Sequence, residues 1–360
     1  MKETKIKSPV FLGYLHSFRA LAILKIVLGH AVAAAFIAAY GAFNDTAPII
    51  MISEIFYHDS TIYFAIISGL LFSRVLKPKG YNKFYISKLK NIVLPYIFVT
   101  LVLTFIKIKF DDVANFQEGI SYYASKVFKN IIFGKANFAL WYIPVLIVLY
   151  IVTPVLEFLQ KTNTLTKVFF FFIMIIPLFV SRIQVLTEYT LKIETMLYFI
   201  GAYAVGMYLG SDLERKLQLI KRYKYAIITA VVICTIILFY FYSNKINMMG
   251  KVSLRESVFY IQKIGLALVF IMLFKRLGDR QPKWLVPIAR DSFSIYFIHG
   301  TVLYAISHFF MFIVGAKAIA PLNIVLGAFL LLVVSISISM IIVYFFKKVF
   351  GKKSRMIIGS

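Results

Sequence analysis

Apolar runs long enough to cross a membrane recur along the whole chain, and no other feature of the sequence restricts the fold as strongly. A bilayer-spanning helix needs about 20 predominantly apolar residues. Hydrophobic residues make up 61% of the 360 residues, which is more apolar surface than a soluble domain can bury. The sequence therefore predicts an all-α, polytopic integral membrane bundle. The clearest runs are Ile92–Ile106, Leu140–Val155, Val168–Val180, Tyr225–Phe241 and Leu322–Phe346.

The hydropathy pattern places about ten transmembrane helices in one membrane domain. We expect a single transmembrane domain over residues 1–360, with a helical core over about 12–346 and a basic cytoplasmic tail over 347–360. No repeat of fixed period and no low-complexity linker divides the chain. The helices are predicted at about 12–36, 55–74, 92–109, 139–159, 167–182, 196–211, 224–242, 258–275, 291–313 and 321–346.

The formal net charge of +25 comes from lysines and arginines that are concentrated on one predicted side of the membrane. A strongly basic chain can indicate nucleic-acid binding, but in a polytopic protein the positions of the charges decide. With the N-terminus inside the cell, 25 of the 40 lysines and arginines fall in cytoplasmic stretches and 11 in outer loops. This asymmetry follows the positive-inside rule. It predicts a multi-pass protein of the cell membrane with both termini cytoplasmic, and membrane lipid rather than nucleic acid as the partner of the basic loops.

Few other features suggest a cofactor or a second domain. The single cysteine, Cys234, lies in an apolar run, which excludes an intramolecular disulfide and a cysteine-based metal cluster, and we expect no metal. Two predicted outer loops are long, at residues 110–138 and 242–258. The first contains "FQEGISYYASKVFKNIIFG", which is compatible with a helix lying in the membrane interface or with a lid over an outward-facing site.

The first predicted helix, "LHSFRALAILKIVLGHA", carries four polar groups: His16, Arg19, Lys25 and His30. An Arg or Lys at the centre of a membrane costs about 2.5–3.5 kcal/mol on insertion scales, so such groups suggest function. Arg19 and His30 are eleven residues apart, which puts them on one helix face about 16 Å apart along the axis. This stripe predicts a channel with a cation at its cytoplasmic mouth and a proton-exchanging group at mid-membrane. Lys25 points elsewhere, and His16 is expected at the interface.

Further polar candidates lie in other segments. His299, in "RDSFSIYFIHG", either completes the site of His30 or bonds across helices. His58 and His308 are expected to be structural or interfacial. The predicted cytoplasmic loop between the second and third helices has six cations, which either set the topology or hold a phosphorylated ligand. These six are Arg74, Lys77, Lys79, Lys83, Lys88 and Lys90.

Five segments, in order, resemble the membrane-embedded acyltransferase-3 superfamily. "FRALAILKIVLGH" is similar to its first-helix signature, an Arg followed after ten residues by a His. "STIYFAIISGLLFSR" resembles its aromatic run ending in Ser-Gly, here Ser68 and Gly69, before a basic loop. "FYISKLKNIVLPYIF" resembles the basic entry to its third helix. "LWYIPVLIVLYIVTPVL" and "SFSIYFIHG" resemble its Leu-Trp-aromatic-x-Pro helix, with Trp141, and its Ser-x-x-Ile-Tyr-x-x-His helix, with Tyr296 and His299.

The resemblance implies transfer of an acyl group, commonly acetyl from acetyl-coenzyme A, to a hydroxyl of a carbohydrate or lipid-linked glycan. Arg19, with Arg74, Lys88 and Lys90, would hold the phosphates of the acyl-coenzyme A. His30 would act as general base on the acceptor hydroxyl or transiently accept the acyl group. Ser68, Trp141, Tyr296 and His299 are further site candidates. The sequence departs from the family pattern at His16, Ala20 and the Lys88–Asn91 segment, which leaves the choice of donor and acceptor open.

Two other functions are compatible with ten helices that carry intramembrane charges. One is a transporter or flippase for a lipid-linked or exported glycan, with the polar stripe as its path. The sequence lacks the paired, Gly/Pro-interrupted segments of an inverted repeat and has no acidic residues deep in the predicted helices. The other is a different membrane-bound O-acyltransferase fold, against which the spacing of Arg19 and His30 argues. Partners in glycan synthesis are not identified by the sequence.

Overall fold

The computed structural model describes residues 13–44, 47–110, 119–182, 191–314 and 321–360, and these residues form an α-helical bundle. Within them the strands are a single short hairpin, β1 (Met248–Met249) and β2 (Val252–Ser253). The helices are α1 (Gly13–Tyr40), α2 (Pro48–Tyr57), α3 (Thr61–Leu71), α4 (Tyr81–Lys88), α5 (Leu94–Phe110), α6 (Gly119–Phe133), α7 (Tyr142–Lys161), α8 (Thr164–Ile175), α9 (Ile193–Ser211), α10 (Leu213–Arg222), α11 (Lys224–Ser243), α12 (Leu254–Leu277), α13 (Leu285–Arg290), α14 (Ser292–Val314), α15 (Pro321–Phe350) and α16 (Ser354–Ile357).

Eight helical segments among the described residues are long and apolar enough to cross a membrane. This confirms an all-α, multi-pass membrane protein. The predicted helix at 167–182 corresponds to a shorter apolar helix, Thr164–Phe179, and the one at 291–313 to α14. The count of ten and the cytoplasmic position of both termini stay predictions. The eight segments are Gly13–Tyr40, Pro48–Lys79, Tyr81–Lys109, Tyr142–Lys161, Ile193–Ser211, Lys224–Ser243, Leu254–Leu277 and Asn323–Ile357.

The second predicted helix differs from the expected 55–74 because the chain turns within it. A separate helix, α2, precedes it and ends at Tyr57, and α3 begins only at Thr61. Between them Asp59 has a φ of 51°, a left-handed conformation that interrupts a right-handed helix.

Two π-helical turns lie at the predicted cytoplasmic end of the bundle. One, Phe72–Leu76, continues α3, and the other, Leu89–Val93, joins α4 to α5. The third predicted helix therefore begins near Tyr81 and not at residue 92. Single π-turns inside α-helices are rare and occur frequently at functional sites. The two turns overlap the two ends of the basic loop that the sequence singled out.

The first helix lies at the centre of the bundle. It packs against α2, α3, α12, α13, α14 and α15. Its buried residues are distributed around its whole circumference, as expected for a helix enclosed by others. Of its four polar groups, Lys25 is buried, and His16, Arg19 and His30 are partly buried.

Glycines allow α3 and α9 to pack with their backbones in contact. A Cβ at Gly206 would lie 2.0 Å from the carbonyl oxygen of Ile66, and one at Gly69 would lie 2.2 Å from that of Tyr203. Small residues are the usual means by which membrane helices approach closely. This contact fixes α3, which carries Ser68, against the rest of the bundle.

The chain after the last long helix folds back onto the bundle. Helix α15 continues to Phe350, four residues past its predicted end, and α16 packs against α5. Ile358 is buried, and Gly359 lies against Asn91 and Phe297. The basic tail expected over 347–360 is therefore structured. Residues 1–12 lie outside the described residues. So do the first three residues of the "FQEGISYYASKVFKNIIFG" segment, and the residues that follow them form α6.

We predict that Gly206→Ala destabilises the protein by about 1–3 kcal/mol, because the added methyl group cannot fit against the Ile66 carbonyl without separating two helices. The measurement is the midpoint of thermal unfolding in detergent. Gly265→Ala is the matched control, since its Cβ would meet the Val231 side chain, with Cγ2 at 2.5 Å, and no backbone atom of another helix, so a smaller loss is expected. Equal midpoints for the two variants would contradict the importance of the α3–α9 contact.

Candidate active site

A cluster of unneutralised cations lies where α1, α4 and α7 meet. The ammonium group of Lys88 is 4.5 Å from the ring centroid of Tyr150, and Arg19 is within electrostatic range of both residues. The Tyr150 hydroxyl lies beside Ser68. Arg19 Nε and the Tyr150 hydroxyl are buried without a hydrogen-bond partner in the described part of the chain. We call Arg19, Lys88, Tyr150 and Ser68 the cation cluster.

The cation cluster contains no carboxylate. No ion pair among the described residues joins Arg19 or Lys88 to an Asp or Glu. Buried charges in proteins are normally paired, because an unpaired charge loses its hydration without compensation. Two cations beside an unsatisfied hydroxyl and an unsatisfied guanidinium N–H therefore form a site suited to an anion with several oxygens, such as a phosphate.

The structure separates the predicted donor-binding cations into two groups. Arg19 and Lys88 come together in the cation cluster, with Ser68 beside them. Arg74 and Lys90 are exposed at the surface, and Arg74 is within electrostatic range of Tyr14. Tyr150 was not singled out from the sequence, because a tyrosine in an apolar helix carries no signal of its own.

Two histidines stack near the middle of the bundle. The rings of His30 on α1 and His299 on α14 have centroids 5.7 Å apart and an angle of 26° between their planes. His299 Nδ1 is 2.9 Å from the Tyr296 carbonyl oxygen and 3.1 Å from that of Ile295. A proton on Nδ1 satisfies these contacts and leaves Nε2, which is buried without a partner, as an acceptor. His299 thus lies beside His30. This is the position that His299 needs if it completes the site of His30, the first of its two predicted roles.

The loop between α6 and α7 covers this histidine pair. Phe138 meets the His30 ring edge-on, with centroids 4.9 Å apart, and the Tyr296 hydroxyl donates to the Ala139 carbonyl. Asn137 donates to Thr301 at 2.9 Å, and a Cβ at Gly300 would lie 2.3 Å from the Asn137 side chain. Gly300, directly after His299, therefore allows the loop to approach the pair.

His30 also lines a cavity of about 180 Å³. The cavity lies between α1 and the turn that joins α2 to α3, and Trp141 at the start of α7 borders it. His30 makes no hydrogen bond with another described residue. None of the four residues of the cation cluster lines this cavity. A larger cavity of about 460 Å³ near Phe36 and Tyr40 is lined, among the described residues, by no histidine, cation or carboxylate.

An ionic network that the sequence did not predict borders the cavity. His58 lies between two carboxylates, with Nδ1 2.7 Å from Glu54 and Nε2 3.3 Å from Asp59. Arg182 forms an ion pair with Asp59 and a second, at 3.0 Å, with Glu256. No group of three potential ligands among the described residues is placed to hold a metal ion. His58, expected to be structural or interfacial, belongs to this network and also lines the cavity.

The carboxylates of this network lie at helix ends, which explains why the sequence pattern missed them. Asp59 occupies the turn before α3, and Glu256 lies in the first turn of α12. Their side chains are 6% and 7% exposed. The absence of acidic residues deep within predicted helices therefore did not mean that the bundle buries none. Their partner, Arg182, lies 123 and 74 residues away in sequence.

The structure also accounts for Lys25, for which the sequence suggested no role. Its ammonium group lies 5.1 Å from the ring centroid of Tyr57, 5.6 Å from that of Phe270 and 5.9 Å from that of Tyr63. Such cation–π contacts stabilise a buried ammonium group. As predicted from its azimuth, Lys25 faces away from Arg19. Nearby Lys263, fully buried, donates to the carbonyl oxygens of Ile55 and Phe56 at the C-terminal end of α2, where cations are favoured.

Comparison with known proteins identifies the family of the chain. The sequence model of the acyltransferase-3 family, which is described as an acyltransferase domain, matches residues 12–344. The chain belongs to the acyltransferase-3 family. No curated protein and no solved structure matches it. The protein is thus a multi-pass membrane acyltransferase, and the matched residues include every helix that contributes to the cation cluster and the histidine pair.

We predict that Arg182→Met destabilises the acyltransferase by about 3–5 kcal/mol, because it leaves Asp59 and Glu256 buried without a countercharge. The measurement is thermal unfolding in detergent. Lys275→Met is the control, since it removes the exposed ion pair with Glu214, for which a loss below about 1 kcal/mol is expected. An Arg182→Met variant as stable as the control would show that the network does not hold the fold.

Proposed function

We propose that this acyltransferase transfers an acyl group, in the simplest case acetyl, from acyl-coenzyme A to a hydroxyl of a cell-surface or exported carbohydrate. The observation that carries the proposal is the pairing of two sites on one central helix. The cation cluster, which contains Arg19, is suited to phosphate, and the cavity at His30 provides a base and open space. Membership of the acyltransferase-3 family supports the transfer of an acyl group.

The cation cluster would bind the phosphates of the donor. Arg19 and Lys88 supply positive charge, and the unpartnered Tyr150 hydroxyl and Arg19 Nε supply hydrogen-bond donors. His30 is about 16 Å further along α1, a distance that the pantetheine arm of coenzyme A spans. Arg74 and Lys90, exposed at the same end, would attract the polyanionic donor before it reaches the cluster.

At the acyl end of the donor, away from its phosphates, His30 would act as general base. It takes the proton of the acceptor hydroxyl while the oxygen attacks the thioester carbonyl. The carbon–sulfur bond then breaks, the acyl ester forms, and the departing coenzyme A thiolate takes up the proton that His30 holds. His299 would position the His30 ring through their stacking, since its own Nδ1 is occupied by backbone carbonyl groups.

The predicted topology assigns the two substrates to opposite sides of the membrane. The cation cluster lies at the end of the bundle rich in Lys and Arg, which the positive-inside rule places in the cytoplasm, where acyl-coenzyme A is found. The cavity lies deeper along α1, towards the outer half. O-acetylation of an exported polysaccharide or lipid-linked glycan at the cell membrane is the reaction that fits this sidedness.

We predict that His30→Gln lowers acyl transfer at least about 100-fold, because loss of a general base typically costs two to four orders of magnitude. The measurement is transfer of label from acetyl-coenzyme A to glycan by purified protein in lipid vesicles. The matched control is His308→Gln, an exposed histidine on the same helix as His299. A His30→Gln variant with full activity, at unchanged thermal stability, would disprove the role of His30.

We predict that Lys88→Gln weakens acetyl-coenzyme A binding about tenfold or more, because it removes a charge-assisted contact to phosphate at a partly buried position. The dissociation constant is measured by equilibrium binding in detergent. Lys83→Gln serves as the control, since Lys83 is an exposed lysine of the same helix. If both variants bind the donor equally well, or if the wild-type protein binds none, the cation cluster is not the donor site.

A further inference from the structure

The cavity beside His30 has a polar wall that the proposed chemistry leaves without a role. It consists of Glu54, His58, Asp59 and Thr61, at the turn from α2 to α3. We call these four residues the turn wall. His30 and the turn wall border the same space of about 180 Å³. A group bound to the wall therefore lies next to the proposed base.

The turn wall has hydrogen-bonding capacity that the described residues do not satisfy. Glu54 uses Oε2 for His58, and no described residue bonds its Oε1. The Thr61 hydroxyl is buried without a partner, on a residue that is only 6% exposed. A buried hydroxyl without a partner is costly and is normally satisfied by water or a ligand. Two independent atoms of the wall thus lack partners beside one cavity.

We propose that the turn wall is the acceptor subsite and that it binds one uncharged sugar ring through its hydroxyl groups. Glu54 Oε1 accepts a hydrogen bond from one hydroxyl, and Thr61 Oγ1 bonds a second. Trp141, on the cavity border, offers an apolar ring face to the sugar. The volume is comparable with that of a single sugar ring. This proposal rests on the proposed function and names the residues that select its acceptor.

The ionic network makes the wall rigid and sets its charge. Arg182 neutralises Asp59 and ties it to Glu256 on α12, while His58 is shared between Asp59 and Glu54. The oxygen that remains without a partner belongs to the Glu54 carboxylate. An anionic substituent on the sugar would face this carboxylate at short range, so the wall favours neutral rings over acidic ones.

The test uses cell membranes that contain the full-length protein and their own glycans, with labelled acetyl-coenzyme A as donor. The ratio of label in glycan to label in free acetate reports how well the acceptor competes with water. Glu54→Ala is expected to lower this ratio about 10-fold or more, and Thr61→Val about 3- to 10-fold, from the usual strengths of hydrogen bonds to charged and neutral groups. Total thioester cleavage is measured in parallel, so that damage to the His30 site is distinguished from a loss of acceptor binding.

Glu214→Ala, which removes an exposed carboxylate on α10, is the control and should leave the ratio unchanged. If Glu54→Ala lowers total cleavage as well, the nearly isosteric Thr61→Val variant decides. An unchanged ratio in Thr61→Val, with normal glycan labelling by the wild-type protein, would overturn the acceptor subsite and leave the proposed function standing. Wild-type protein that cleaves the thioester without labelling glycan would overturn both.

Discussion

The cost of placing charge inside a membrane bundle determines which parts of this structure serve stability and which are available for chemistry. Arg182, Asp59, Glu256 and His58 satisfy one another, and Lys25 is surrounded by aromatic rings. Arg19 and Lys88 have no carboxylate partner in the described part of the chain, and Lys88 is stabilised only by the rings of Tyr150 and Phe84. Both cations are partly buried, and the anionic ligand that we propose would supply the countercharge that they lack.

Both proposed half-sites lie on α1, which packs against six other helices. Two of the elements near Arg19 and His30 are also held from another side: α3 by glycine contacts with α9, and α14 by the loop that contains Asn137. Sites on packed helices hold their geometry better than sites on free loops. The turn at Asp59 adds polar groups at mid-bundle depth without placing a carboxylate inside a helix, because Arg182 reaches it from a distant segment.

The sequence alone was sufficient for the features that depend on local pattern. Hydropathy located the helices to within a few residues in most cases, and helical periodicity placed Arg19 and His30 on one stripe and Lys25 off it. The resemblance pointed to His299, which the structure places against His30.

Features that depend on long-range contacts could not be predicted from the local sequence pattern. The loop of six cations gave no reason to prefer Lys88, because only the packing of α4 against Tyr150 separates it from Arg74 and Lys90. The network of Asp59, Arg182 and Glu256 joins three segments far apart in the chain. Each of these residues sits at a helix end, where a charged side chain looks like an ordinary boundary residue. The interruption between α2 and α3 at Asp59 lies within an apolar run, so the hydropathy pattern did not indicate it.

The central claim is that the protein modifies a glycan and does not move one. Mass spectrometry of surface glycans from cells that lack the gene, complemented with the wild-type gene or with His30→Gln, tests it directly. We expect the polymer to remain in all strains, with an acetyl or related acyl substituent present only where the wild-type protein is made. Loss of the whole polymer in the deletion strain, restored by His30→Gln as well as by wild type, would contradict acyl transfer and indicate a transporter.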